Sequence, residues 1–193
     1  LLTVQGDYSQ GYVDEAVESP ALVPPYLKRY TGATYETANI LSRWQKTISP
    51  GSDLSVQLYY DRNNRRAPEN REIRDTVDFD LQHRLEAGRH DVVWGIGYRR
   101  TRGDFSADSL LTLDPSRKTD ELFSGFLQDE IKIIDDRLRL VLGSKFERND
   151  YTGFEVQPSG RLIYQPRTEH TLWGAVSRAV RTPSWGEAYG RVP

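Results

Sequence analysis

The 193-residue chain carries 26 basic and 28 acidic side chains for a formal net charge of −2, a balance that leaves no basic footprint for nucleic acid. It has no cysteine, which excludes disulfides, thiolate metal sites and thiol chemistry. No run approaches the roughly 20 apolar residues of a membrane helix, yet a barrel crosses a bilayer with only alternate residues facing lipid, so a polar average does not exclude one. There is no methionine, and the chain opens on the strand-like Leu1-Leu-Thr-Val4 with no signal peptide before it. That predicts a piece of a longer polypeptide.

Period-two alternation marks nine candidate strands. Leu1–Tyr8 is the first, and the noisier Ala38–Thr47 follows, ending at the turn Ile48-Ser-Pro-Gly-Ser52. Ser52–Arg62 sets Leu54, Val56, Leu58 and Tyr60 against Ser55, Gln57, Tyr59 and Asp61. Asp75–Leu85 sets Val77, Phe79 and Leu81 against Asp78, Asp80, Gln82 and Arg84, then turns at Leu85-Glu-Ala-Gly-Arg-His90. Asp91–Arg100 sets Val92, Trp94, Ile96 and Tyr98 against Val93, Gly95, Gly97 and Arg99. Glu121–Ile133 sets Phe123, Leu127, Ile131 and Ile133 against Ser124, Phe126, Gln128 and Glu130, and turns at Ile134-Asp-Asp-Arg137. Leu138–Glu147 sets Leu138, Leu140, Leu142 and Phe146 against Arg139, Val141, Gly143, Lys145 and Glu147. Gln157–Tyr164 and Thr171–Arg181 are noisier and flank the turn Tyr164-Gln-Pro-Arg-Thr-Glu-His170. Pro158 is expected at the start of its strand, where a missing N–H is tolerated.

The tight turns alternate with long polar connections at Ser9–Thr37, Asn63–Glu72, Thr101–Asp120 and Arg148–Phe154. Short turns on one side and long loops on the other are the pattern of an outer-membrane barrel. The predicted fold class is therefore all-β, an antiparallel up-and-down meander forming part of a transmembrane β-barrel. With the long loops outside, Tyr60 and Tyr98 fall at the outer lipid boundary, and Trp44, Tyr164 and Trp173 at the periplasmic one, as aromatic girdles require.

The polar faces supply the candidate lumen-facing residues: Asp78, Asp80, Arg84, Arg99, Gln128, Glu130, Arg139, Lys145 and Arg161. Each is an expected member of a solvated interior paired across strands. Asp78, Asp80 and His83 do not make a metal site, since alternation turns His83 away from the two carboxylates. His83, His90 and His170 lie at strand ends or turns with no nucleophile elbow. No catalytic residue, metal ligand or cofactor is expected, and no enzyme. The long loops hold Tyr12, Tyr26, Tyr30, Tyr151 and Trp185, any of which could meet a ligand from outside.

Five segments in order carry a family resemblance: Phe123-Ser-Gly-Phe-Leu127 with Gln128-Asp-Glu-Ile131; Leu138-Arg-Leu-Val-Leu-Gly-Ser144; Asn149-Asp-Tyr151; Gln157-Pro-Ser-Gly-Arg161; and Leu172-Trp-Gly-Ala-Val-Ser-Arg-Ala-Val-Arg-Thr-Pro-Ser184. Over Gly32–Ser184 they resemble the barrel of a TonB-dependent outer-membrane receptor. The resemblance implies a barrel of about 22 strands, of which some nine are here. It also implies an N-terminal plug domain, located outside this chain, and capture of an extracellular small molecule, an iron–siderophore or cobalamin. Import would be driven by the TonB–ExbB–ExbD complex. Residues 1–193 are then expected to be a partial barrel domain, set in the lipid of the cell outer membrane. The alternative is a passive porin or an autotransporter-type barrel, which accounts for the loop rhythm but not for the ordered motifs.

Overall fold

The computed structural model describes residues 1–19, 27–68, 70–107 and 112–191; the side chains of residues 15–31 lie outside that description, and Tyr26 and Tyr30 with them. Nine long strands form one sheet: β1 (Leu2–Ser19), β2 (Leu27–Ser49), β3 (Ser52–Arg66), β4 (Asn70–Ala87), β5 (His90–Ala107), β7 (Arg117–Ile134), β8 (Leu138–Asn149), β9 (Gly153–Arg167) and β10 (His170–Ser177). Each pairs antiparallel with its sequence neighbour, in the order β1-β2-β3-β4-β5-β7-β8-β9-β10. Two short strands, β6 (Thr112–Leu113) and β11 (Gly190–Arg191), pair separately. A five-residue helix, α1 (Trp185–Tyr189), precedes β11. β1 and β10 stand at the edges, and the sheet is not closed.

The register shows why the alternation holds. One row of cross-strand partners runs Leu2, Trp44, Val56, Leu81, Ile96, Gly125, Phe146, Val156. The adjacent row runs Arg43, Gln57, Asp80, Gly97, Ser124, Glu147, Glu155 on the opposite face. Shifting any strand by one residue would move its apolar set to the polar face. The apolar face is uncovered: Leu58 is 53% exposed, Ile96 51%, Leu127 53% and Leu142 48%. Among the described residues the buried apolar side chains are only Ala33 and Trp185. A sheet with so little core of its own and so large a bare apolar surface is built for a medium other than water.

The strands run well past their expected ends. β4 has 18 residues, about 60 Å at ~3.4 Å per residue, whereas its apolar run Val77–Leu85 corresponds to the 9–11 residues of a tilted membrane strand. The stretches expected as long loops are mostly ladder. Ser9–Thr37 supplies the far ends of β1 and β2, and Asn63–Glu72 those of β3 and β4. Arg148–Phe154 closes in a turn of only three residues, 150–152. The Asn149 side chain accepts from the N–H groups of Tyr151 and Thr152, both at 2.8 Å, and Gly153 takes φ 76°. That is side-chain turn chemistry, which lets a hairpin close without a long loop.

Three smaller expectations also change. Pro158 sits inside β9 rather than at its start, opposite Ser144. Its carbonyl accepts from Arg178 on the β10 side, where the ladder ends at Ser177, so its missing N–H costs no ladder bond. β10 stops at Ser177 instead of Arg181. Trp173 pairs with Ile163 and has the Arg161 guanidinium 5.9 Å from its ring centroid, which puts it on the polar face and out of the girdle. Trp44 and Tyr164 do lie on the apolar face near the short turns, with Tyr60 and Tyr98 on the same face farther out.

Candidate functional site

All nine polar residues singled out in the sequence fall on one face of the sheet. Asp78 is opposite Arg99, Asp80 opposite Gly97 and Arg84 opposite Val93. Gln128 is opposite Gly143, and Glu130 is opposite Val141, which in turn faces Arg161. Arg139 and Lys145 share that side of β8. They form separate pairs rather than one centre. Asp78, buried, binds Arg99 at 2.5 Å. Arg139 reaches Glu130 at 3.0 Å, and Lys145 reaches Glu147 at 2.6 Å, with Gln157 donating to the same glutamate at 2.5 Å. Arg84 bridges Asp91 at 2.6 Å and Glu86 at 2.8 Å. Such half-exposed pairs add little stability each. Their effect is to make this face a continuous, charge-balanced polar wall.

A more compact group stands at the far end of the same face, away from the short turns. Beyond β10 the chain turns back across the strand ends, held where Arg178 meets Glu155 at 3.1 Å. It enters α1 through a capping box: the Ser184 N–H donates to Glu187 at 2.8 Å, and the Glu187 N–H donates to the Ser184 hydroxyl at 3.3 Å. The helix sets Trp185 on Gly103; a Cβ there would come within 2.4 Å of the indole. Only glycine admits that ring. Antiparallel pairing of β11 with β6 then ties the segment to the connection between β5 and β7.

This return brings together residues far apart in sequence. The Lys118 ammonium lies 4.2 Å from the Tyr151 ring centroid and 5.3 Å from that of Tyr189. Tyr151 donates to Asp120 at 2.9 Å, and Asp120 also pairs with Lys118. Burial and the neighbouring Tyr189 and Asp150 raise the pKa of the Tyr151 phenol, so it stays a donor at neutral pH. The ammonium is buried between the two half-buried rings and already paired with Asp120, so the group is a closed cluster that holds the returning segment against the sheet.

Tyr151 and Trp185 were expected as loop aromatics, and the structure places both in this group. Lys118 and Tyr189 were missed. The available signal was Ser184-Trp-Gly-Glu187, a capping-box spacing that announces a short helix inside what the alternation treated as loop. Tyr12 lies on the opposite, apolar-face side against Gly32.

A bare apolar face, a charge-balanced polar face and an up-and-down meander whose strands run past the apolar belt at one end define a segment of an outer-membrane-type β-barrel. The family described as TonB dependent receptor-like, β-barrel, matches residues 4–192, and the chain belongs to that family. No curated protein matches the sequence. Among solved structures the siderophore receptor PirA from Acinetobacter baumannii is similar, at 16% identity and a TM-score of 0.63, covering 94% of this chain. The chain spans 32% of that protein's length. At that identity the likeness is one of fold.

Proposed function

We propose that this chain is the part of an outer-membrane receptor that forms nine barrel strands and one side of the extracellular mouth, in TonB-energised uptake of a scarce solute. The solute is an iron–siderophore in preference to cobalamin. The carrying observation is the match to the TonB-dependent receptor barrel over residues 4–192, on a sheet with one bare apolar face and one charge-balanced polar face. The name of the PirA receptor, a siderophore receptor, supports the choice of solute.

Family membership supports the remaining parts of the reading. The polar face, with Asp78, Asp80, Arg84, Arg99, Gln128, Glu130, Arg139, Lys145 and Arg161, lines the lumen and faces a plug domain elsewhere in the polypeptide. The apolar face meets outer-membrane lipid. The plug supplies the contact with TonB–ExbB–ExbD, and the protein transports without catalysing a reaction.

The test is growth of a deletion strain on single iron or cobalamin sources, with the full-length receptor restored in TonB-competent and TonB-deficient backgrounds. Growth on an iron chelate, and only with TonB, is the expected result. Rescue without TonB would replace this reading with a passive barrel.

A further inference from the structure

Apart from Ala33, Trp185 is the only buried apolar side chain among the described residues. Its seat is Gly103 on β5, where any side chain would take the space of the indole. From that seat the returning segment makes contacts in both directions. Upstream, the Arg178 N–H donates to the Pro158 carbonyl at 3.0 Å, and the Arg178 guanidinium pairs with Glu155 at 3.1 Å. Downstream, the Tyr189 carbonyl accepts from the Asp114 N–H at 3.2 Å. Gly190 and Arg191 pair with Leu113 and Thr112, and Arg191 reaches Asp114 at 2.9 Å. Among the described residues β6 has no strand partner but β11.

These contacts are unequal. A two-stranded pairing is marginal by itself, and the Arg191–Asp114 pair, with side chains 71% and 62% exposed, adds little. A buried indole takes far more apolar surface out of water. The seat of Trp185 on β5 is therefore what keeps β11 against β6.

We propose that this seat makes residues 112–116 and 178–191 one cooperative unit: the connection between β5 and β7 and the segment beyond β10 loosen together or not at all. Proteins open locally in such units, and a unit extends as far as its buried contacts tie it. The consequence is a coupling. Whatever orders one of the two orders the other, because both are immobilised in the same step. The coupling belongs to this end of the sheet, and only its position outside the cell rests on the reading proposed above.

Hydrogen exchange of the full-length receptor in lipid vesicles, followed by mass spectrometry, reads both segments at once. In Trp185→Ala, peptides covering residues 112–116 and 184–191 should each exchange roughly tenfold faster or more, while residues 138–146 of β8 keep their protection. Gly103→Val leaves the segment's own sequence intact and blocks the seat from the sheet side, so it should give the same paired acceleration. Faster exchange in residues 184–191 alone, in neither segment, or spread to residues 138–146 would overturn the proposal, as would loosening of just one segment by Gly103→Val. Heat-modifiable migration shows whether each variant has folded. If Trp185→Ala has not, Trp185→Phe supplies the smaller perturbation, with the same paired response expected. Fractionation with the outer membrane reads placement independently. Lost coupling in a receptor that fractionates there removes the cooperative unit alone, and a receptor that does not fractionate there removes the placement, with the coupling then read in detergent.

Discussion

Along β4, the half near the short turns, Val77–Leu85, alternates apolar with polar side chains, while the far half, Asn70–Thr76, is polar on both faces apart from Ile73. The ladder to β5 ignores this change and runs unbroken from Ala87 opposite His90 to Asn70 opposite Ala107. Backbone hydrogen bonds make the strand in both halves; the side chains record which solvent each face meets. In the near half one face meets lipid and the other the polar interior, so apolar residues recur with period two. In the far half water lies on both sides and the constraint disappears.

The sharpest way to break this comparison is to put a charge on the same face in each half. Ile96→Arg should destabilise the full-length receptor by about 2–4 kcal/mol, because lipid offers the guanidinium neither water nor a counter-charge. Thr119→Arg, on the same face of β7 but in the far half, should stay within ~0.5 kcal/mol, as surface substitutions do. Chemical unfolding in lipid vesicles measures both, and equal costs would mean that the two halves share one solvent.

A smaller loss is expected from filling the polar face. A Cβ at Gly95 would stand 2.6 Å from the Leu81 carbonyl oxygen and from the Phe126 ring. Gly95→Val should therefore cost about 1–3 kcal/mol by overpacking. Adding Phe126→Ala should recover part of it, and a double-mutant cycle by the same unfolding assay would detect that coupling.

Arg99→Ala should cost about 1 kcal/mol, well below Ile96→Arg, because the side chain is 55% exposed and water can approach the Asp78 carboxylate it leaves. A loss as large as that of the lipid-face arginine would mean that this face is dry.

The smallest effect belongs to the segment that returns beyond β10. The Ser184 N–H, together with the Arg181 guanidinium, holds the Glu187 carboxyl down to about 2, below its ordinary 4.5. A lowered folded value means that the cap's contribution is full above pH 4.5 and is lost as pH falls through about 2. Fluorine NMR of a fluorotryptophan at Trp185 should show α1 loosening over that interval, and Glu187→Gln should flatten the response. An unchanged titration in that variant would remove the carboxylate from the explanation.

The alternation of Val92, Trp94, Ile96 and Tyr98 against Gly95, Gly97 and Arg99 was legible because a face in lipid tolerates so few residue types. The same rule made the nine polar-face residues legible as a set. It did not say that Asp78 would take Arg99, or Arg139 Glu130, since pairing depends on register across two strands. Trp173 was misplaced because nearness to a turn fixes depth, whereas only parity along β10 fixes the face. The strand extensions beyond Arg62, Asp75 and Arg100 were invisible for the reason the two halves of β4 differ: in water, ladder needs no hydrophobic signal.

By itself, then, the sequence determined the class of fold, the sidedness of its connections and the two faces of the membrane-crossing half, since each is imposed locally by period-two geometry and by the solvent. Only the tertiary structure decided how far the strands extend, which residues stand opposite one another, and that Lys118, Tyr151, Trp185 and Tyr189 meet at the mouth. Those contacts depend on the chain beyond β10 returning to pair β11 with β6, a closure across nearly 80 residues that no local pattern encodes.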